Sequence, residues 1–145
     1  MTINTCSGAI SFSRKLETES AVFYEEAATR FPADAEMFAS FAKENKKFIA
    51  QIERAYYGVI TDAIEGCFAF DLETDGYELG EAASGGPGRA DTLKAAVEIE
   101  EKIISYYKEA AEQSKHLMAD VPRSFNLVVK KRADRVPRLK ALLGT

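Results

Sequence analysis

The sequence predicts an all-α protein built from four long helices, arranged as two helix pairs. Three observations carry this. Apolar residues recur at helical spacing through most of the 145 residues. One pattern occurs twice: Glu17-Thr-Glu-Ser-Ala-Val-Phe-Tyr-Glu-Glu-Ala-Ala28 returns as Glu100-Glu-Lys-Ile-Ile-Ser-Tyr-Tyr-Lys-Glu-Ala-Ala111. Between the copies lies a single glycine-rich, acidic break over residues 67–90.

The first helix is expected from Ile10 to Arg30, where Phe31-Pro32 stops it because proline disfavours helical geometry in its predecessor. Asp34 is the expected cap of a second helix running to about Glu65, with Gly66 as its end. Its apolar stripe reads Phe38, Phe41, Ala42, Phe48, Ile49, Ile52 and Tyr56, and Gly58 weakens its last turns. Residues 67–90 hold Gly76, Gly80, Gly85, Gly86, Pro87 and Gly88 among acidic residues, which predicts a long loop. A loop of this length can cross a bundle so that helix 3 runs parallel to helix 2, pinned by Phe68, Phe70, Leu72 and Tyr77. Asp91 is the expected cap of helix 3, which reaches about Met118. Asp120 and Pro122 start helix 4, which continues to about Leu142 through a kink at Pro137. The second arms repeat as well: Phe41 to Ile52 aligns with Val128 to Leu139.

Length and composition make residues 1–145 one domain. No apolar run is long enough to cross a membrane, and no basic segment precedes an apolar one near Met1. Cys6 and Cys67 form neither a disulfide framework nor a CxxC pair, so a reducing cytoplasm is the expected location. The net charge of −4 argues against nucleic acid as a partner. Seven basic residues and one acid lie between Arg123 and Lys140, which is expected to be largely a solvated helix face.

A spacing of seven is close to two helical turns, so Glu17 shares a face with Tyr24, and Glu100 with Tyr107. Each glutamate is the one charge on its apolar stripe: Ile10, Ser13, Ala21 and Ala28 in helix 1, Leu93, Ala96, Val97, Ile103, Ile104, Ala110 and Ala111 in helix 3. Helix 2 places Asn45 between Ala42 and Phe48, and helix 4 places Arg132 and Arg135 between Val129 and Val136. Taking the repeat at face value, these side chains converge on one polar layer. A buried carboxylate must be paired, protonated or metal-bound.

The two Glu-x6-Tyr arms with their Ala-Ala tails, the Met37-Phe-Ala-Ser-Phe-Ala42 lead-in and the crossover loop resemble the rubrerythrin-like branch of the ferritin-like superfamily. The resemblance runs from about Ile10 to Leu142. It implies a four-helix bundle in which helices 1 and 3 each supply a glutamate, and helices 2 and 4 each a Glu-x-x-His pair, to two irons. Glu17 and Glu100 match the first two ligands. Asn45 and Phe48 stand at the helix 2 pair, and Arg132 and Arg135 at the helix 4 pair. Shifting the helix 2 register by one brings in Glu44 and Lys47, still without histidine. The only histidine, His116, falls near the end of helix 3, and the paired CxxC motifs of a rubredoxin module are absent.

Charge balance then favours a metal-free layer with no cofactor, in which Arg132, or Arg135, bridges Glu17 and Glu100. Tyr24 and Tyr107 are expected as core aromatics with satisfied hydroxyls. His116 is expected at the surface and Cys67 as a small buried apolar group. The expected role is structural, ligand-binding or protein-interacting, with no catalytic residues. The resemblance implies a homodimer, and the abundance of aromatics such as Phe38, Tyr56, Tyr57 and Tyr106 agrees with it, since one core is not expected to take them all. The competing expectation is a diiron-type oxidoreductase acting on peroxide or iron, with iron held by Glu17, Glu44, Glu100 and Glu101.

Overall fold

The computed structural model describes residues 1–59, 70–115 and 120–144. Among them are four long α-helices: α1 (Cys6–Arg30), α2 (Ala35–Val59), α3 (Arg89–Gln113) and α4 (Asp120–Leu143). The expected end of helix 2 at Gly66, together with Cys67, Phe68, His116 and Met118, lies outside the described residues. No helix among those described is long and apolar enough to cross a membrane.

Helix α1 starts four residues earlier than the apolar periodicity indicates. Thr5, in extended geometry, caps it: its Oγ1 accepts the Gly8 N–H at 3.0 Å. A 3-10 turn at Pro32–Asp34 reverses the chain into α2. Both Asp34 oxygens receive Arg89, from Nε at 2.7 Å and Nη2 at 3.2 Å, which ties the start of α2 to the start of α3. Helix α3 is entered through Gly88, not through an Asp91 cap, and Asp91 lies in its first turn. It ends at Gln113 with Ser114 as the C-cap, short of the expected Met118. Helix α4 runs unbroken past Pro137, which is exposed.

The helices pack chiefly as α1 on α2 and α3 on α4, with α2 also lying along α4. Direction follows from particular contacts. Arg14 near the start of α1 pairs with Glu53 near the end of α2, and Tyr107 in the second half of α3 packs on Phe125 in the first half of α4. Both pairs are therefore antiparallel, and α2 and α3 begin at the same end of the bundle.

The described part of the crossover is more structured than a loop. Strand β1 (Thr2–Ile3) pairs antiparallel with β2 (Leu72–Glu73), matching Ile3 to Leu72. Two 3-10 turns follow, at Thr74–Gly76 and Gly80–Ser84. Phe70, Leu72 and Leu79 are buried, and Tyr77 meets Tyr106 edge to face at 5.5 Å. Gly85 has φ +74°, and a Cβ there would lie 3.0 Å from the Phe23 ring, so the chain can turn into α3 only with glycine.

Of the four aromatics Phe38, Tyr56, Tyr57 and Tyr106, three are buried in the core of a single chain and Tyr57 is exposed. Tyr106 is satisfied as well as buried, donating to the Ala9 carbonyl at 2.6 Å and accepting from Ser13 at 3.2 Å.

Candidate functional site

Halfway along the bundle each of the four described helices contributes polar side chains to one buried layer. Glu17, Ser20 and Tyr24 come from α1, Asn45 from α2, Glu100 and Tyr107 from α3, and Arg132 and Arg135 from α4; all are at most 1% exposed.

Arg132 is the centre. Its Nη1 donates to both Glu100 oxygens, at 2.7 and 2.9 Å. Its Nη2 donates to Glu17 Oε1 and, at 3.3 Å, to Ser20 Oγ, while its Nε donates to Glu17 Oε2 at 3.3 Å. One planar guanidinium thus spans two carboxylates from two helices, the forked geometry that lysine cannot supply.

The tyrosines close the remaining sides, and they do so by exchange between the repeats. Tyr107 donates to Glu17 Oε2 at 2.7 Å, and Tyr24 donates to Glu100 Oε2. Each glutamate is therefore completed by the tyrosine of the other copy. Arg135 forms the outer part of the layer. Its Nη1 reaches Asn45 Oδ1 at 2.9 Å and Glu100 Oε2 at 3.2 Å; its Nη2 reaches the Phe41 carbonyl at 3.2 Å and Glu44 at 2.8 Å. Phe41 and Phe48 lie 4.5 and 5.2 Å from its guanidinium carbon, so aromatic faces replace water around the cation. Phe48 also faces Arg132 at 5.5 Å. Asn45 donates to Ser20 Oγ at 2.8 Å, and Ser20 passes its own proton to the Leu16 carbonyl at 2.8 Å.

The proton affinities follow from this geometry. Burial pushes the Glu17 carboxyl up, against the pull of Arg132. Burial acts on Glu100 too, but Arg132 and Arg135 together outweigh it and hold this carboxyl below its ordinary value. Burial, then the neighbouring carboxylate, raises Tyr24 and Tyr107 well above the usual phenol range, so both hydroxyls stay protonated and donate. Burial opposes charge on Arg132, and Glu100 and Glu17 reverse that and raise its pKa.

All of Glu17, Asn45, Phe48, Glu100, Arg132, Arg135, Tyr24 and Tyr107 thus meet in one layer. The other residues considered for a metal do not. Glu101 is exposed and pairs with Lys140 at 3.8 Å, Lys47 is exposed, and Glu44 reaches only Arg135 from the rim. Ser20 escaped the sequence reading although it lies one turn from Glu17 on the same face, which is the signal that marks it. Among the described residues no group of three or more His, Cys, Asp or Glu is placed to hold a metal ion.

The donor chemistry does not fit a pair of irons. All four oxygens of Glu17 and Glu100 already accept from a guanidinium, and two also accept from a phenol. A divalent ion entering between them would meet the fixed charge of Arg132 and no imidazole. Beside Glu17, between Ile10, Ser13, Ile49 and Ile52, there is no space for a water molecule.

Two measurements test this account. Arg132→Ala leaves the buried Glu17 without a cation and Glu100 with Arg135 alone, and is expected to cost about 3–5 kcal/mol in chemical denaturation; a loss below about 1 kcal/mol would mean the pair carries no more than a surface one. The second concerns pH. Because folding lowers the Glu100 pKa from its ordinary 4.5, the unfolded chain takes up this proton first. The stability Glu100 contributes is complete above about 4.5 and is lost as pH falls through the folded value. Glu17, with its raised pKa, has the opposite slope, and Glu100 is one cause of that raise, so the comparison is made in a Glu17→Gln background. The stability difference between Glu17→Gln and the double variant Glu17→Gln, Glu100→Gln should therefore shrink from about pH 7 to about pH 3. A difference that widens on acidification contradicts the assignment.

Comparison with known proteins yields no matching family model, no matching curated protein and no matching solved structure.

Proposed function

We propose that this chain is a ferritin-like helical protein of rubrerythrin type in which a salt-bridged layer takes the place of the diiron centre. Its role on this reading is structural or protein-interacting, not oxidoreductive. The observation that carries the proposal is the position of Arg132: its guanidinium occupies the space between Glu17 and Glu100, where that family's metal would be held. Supporting it are the order and direction of the four helices, with α2 and α3 starting at one end, and the single glutamate that α1 and α3 each send inward.

In such a layer all four oxygens of Glu17 and Glu100 accept from a guanidinium, and the hollow beside Glu17 has no room for a water molecule. Both carboxylates are committed to charge neutralisation. What the layer does is hold four helices in one register.

Protein purified anaerobically and analysed for iron and manganese is expected to contain far less than one metal per chain. Ferrous iron should add neither visible absorption nor peroxide turnover. Near-stoichiometric metal that disappears in Glu17→Gln and Glu100→Gln would overturn the proposal. The resemblance also implies a homodimer, and among the described residues Met1, Val22, Tyr57 and Leu127 are the large apolar side chains open to such a surface. Sedimentation equilibrium is expected to return twice the chain mass, and a monomer at micromolar concentration would exclude it.

A further inference from the structure

Where α2 lies along α4, one groove is lined by more cations than carboxylates. A groove of about 270 Å³ there is lined by Ser40, Phe41, Lys43, Glu44 and Lys47 of α2 and by Arg138 of α4. Lys43, Lys47 and Arg138 are exposed, and among the described residues none of the three forms an ion pair. Arg138 nevertheless has a fixed place: its guanidinium carbon stands 5.1 Å from the Phe41 ring.

Glu44 is the one carboxylate of the groove, and it already belongs to Arg135, whose Nη2 lies 2.8 Å away. Behind it Arg132 and Arg135 match Glu17 and Glu100. Glu44 is thus left against three surface cations, an excess of two positive charges on a chain whose net charge is −4. The excess is compact. The adjoining hollow, which shares Ser40 and Arg138, is lined by Asp34 and Glu36 together with Met37 and Leu142. A long polyanion following the groove would meet those carboxylates.

We propose that this groove binds a compact phosphate-type dianion. A phosphate monoester carries about −1.5 to −2 charges near neutrality, which matches the excess. Its oxygens suit the planar fork of Arg138 with Lys43 and Lys47 as point charges and the Ser40 hydroxyl as a further donor. The groove is formed only where α2 and α4 pack together, so its occupant stabilises the folded chain by mass action.

The test uses the full chain and inorganic phosphate as probe, by calorimetric titration and thermal unfolding, against sodium chloride at equal ionic strength. Phosphate is expected to bind saturably and raise the Tm, with chloride giving no saturable rise. The double variant Lys43→Ala, Lys47→Ala removes only exposed side chains, and it should weaken binding by about tenfold or more with its ligand-free Tm little changed. Arg138→Gln should weaken it as well, and Arg138→Lys should restore it in part. Flotation with phosphatidylcholine vesicles, with and without phosphatidic acid, separates the two sources of such a group. Binding confined to the phosphatidic acid vesicles assigns the groove to a lipid phosphate, and binding of free phosphate assigns it to a soluble one. Phosphate indistinguishable from chloride together with no vesicle binding, or binding undiminished in the double variant, would overturn the proposal.

Discussion

Two carboxylates facing each other in a dry interior cannot both stay ionised without a cation between them, and the bundle is arranged around the one that lies there. Arg132 comes from α4, Glu17 from α1 and Glu100 from α3, so the guanidinium joins the two helix pairs at mid-height. Bringing three charges out of water costs several kcal/mol for each ion, and attraction alone recovers this only when every remaining donor and acceptor is satisfied. That condition explains the residues around the triad. Tyr24 and Tyr107 supply the further donors, Ser20 and Asn45 extend the network to α2, and Arg135 carries surplus charge outward to the half-buried Glu44.

The internal repeat takes on a different meaning in this setting. Within one arm, Glu and Tyr seven residues apart would be expected to serve each other, yet they do not. Glu17 is completed by Tyr107 and Glu100 by Tyr24, so neither helix pair has a satisfied layer alone. The two halves are equivalent in pattern and complementary in contact. Where the halves differ, Asn45 against Arg132 and Phe48 against Arg135, the difference supplies the positive charge that a symmetric carboxylate layer would lack. Glu100 faces two guanidiniums and Glu17 one, which is why their pKa values move in opposite directions.

Much of this was legible because buried charge is rare on an apolar stripe. Glu17, Glu100, Arg132 and Arg135 each interrupt a run of inward apolar positions, and the repeat aligns them. Other features were hidden for identifiable reasons. Strands β1 and β2 are two residues each, too short for an alternation to register. Tyr106 is missing from the inward stripe of helix 3 because a single stripe describes a helix buried on one side. Helix α3 is covered on more than one side: Tyr107 faces Glu17 while Tyr106 faces Ala9, Ser13 and Tyr77. Asp91 looked like a cap because aspartate favours that place, but the glycines before it let the backbone turn earlier. Gly86 has φ +71°, and a Cβ on it would lie 2.8 Å from the Asp91 Cβ, so the turn packs directly on that side chain.

The layer also limits which alternative packings the sequence can adopt. An apolar core of Leu, Ile and Phe tolerates a helix sliding by a turn, because one hydrocarbon contact resembles another. Here a slide of α4 by one turn would carry Arg132 about 5.4 Å along the axis and away from both glutamates. In one direction this leaves buried charges without partners in a region without water; in the other, Arg135 moves toward the vacated place and gives up its contacts with Asn45, the Phe41 carbonyl and Glu44. The same holds for α1 and α3, whose tyrosines reach each other's glutamates only in the observed register, and for α2, whose Asn45 bridges Ser20 and Arg135. Replacing the layer by well-packed hydrocarbon can leave stability unchanged or raised, so its net contribution to folding free energy is not what distinguishes it. Its larger effect is on the competing states, which it penalises by buried polar groups left without their partners.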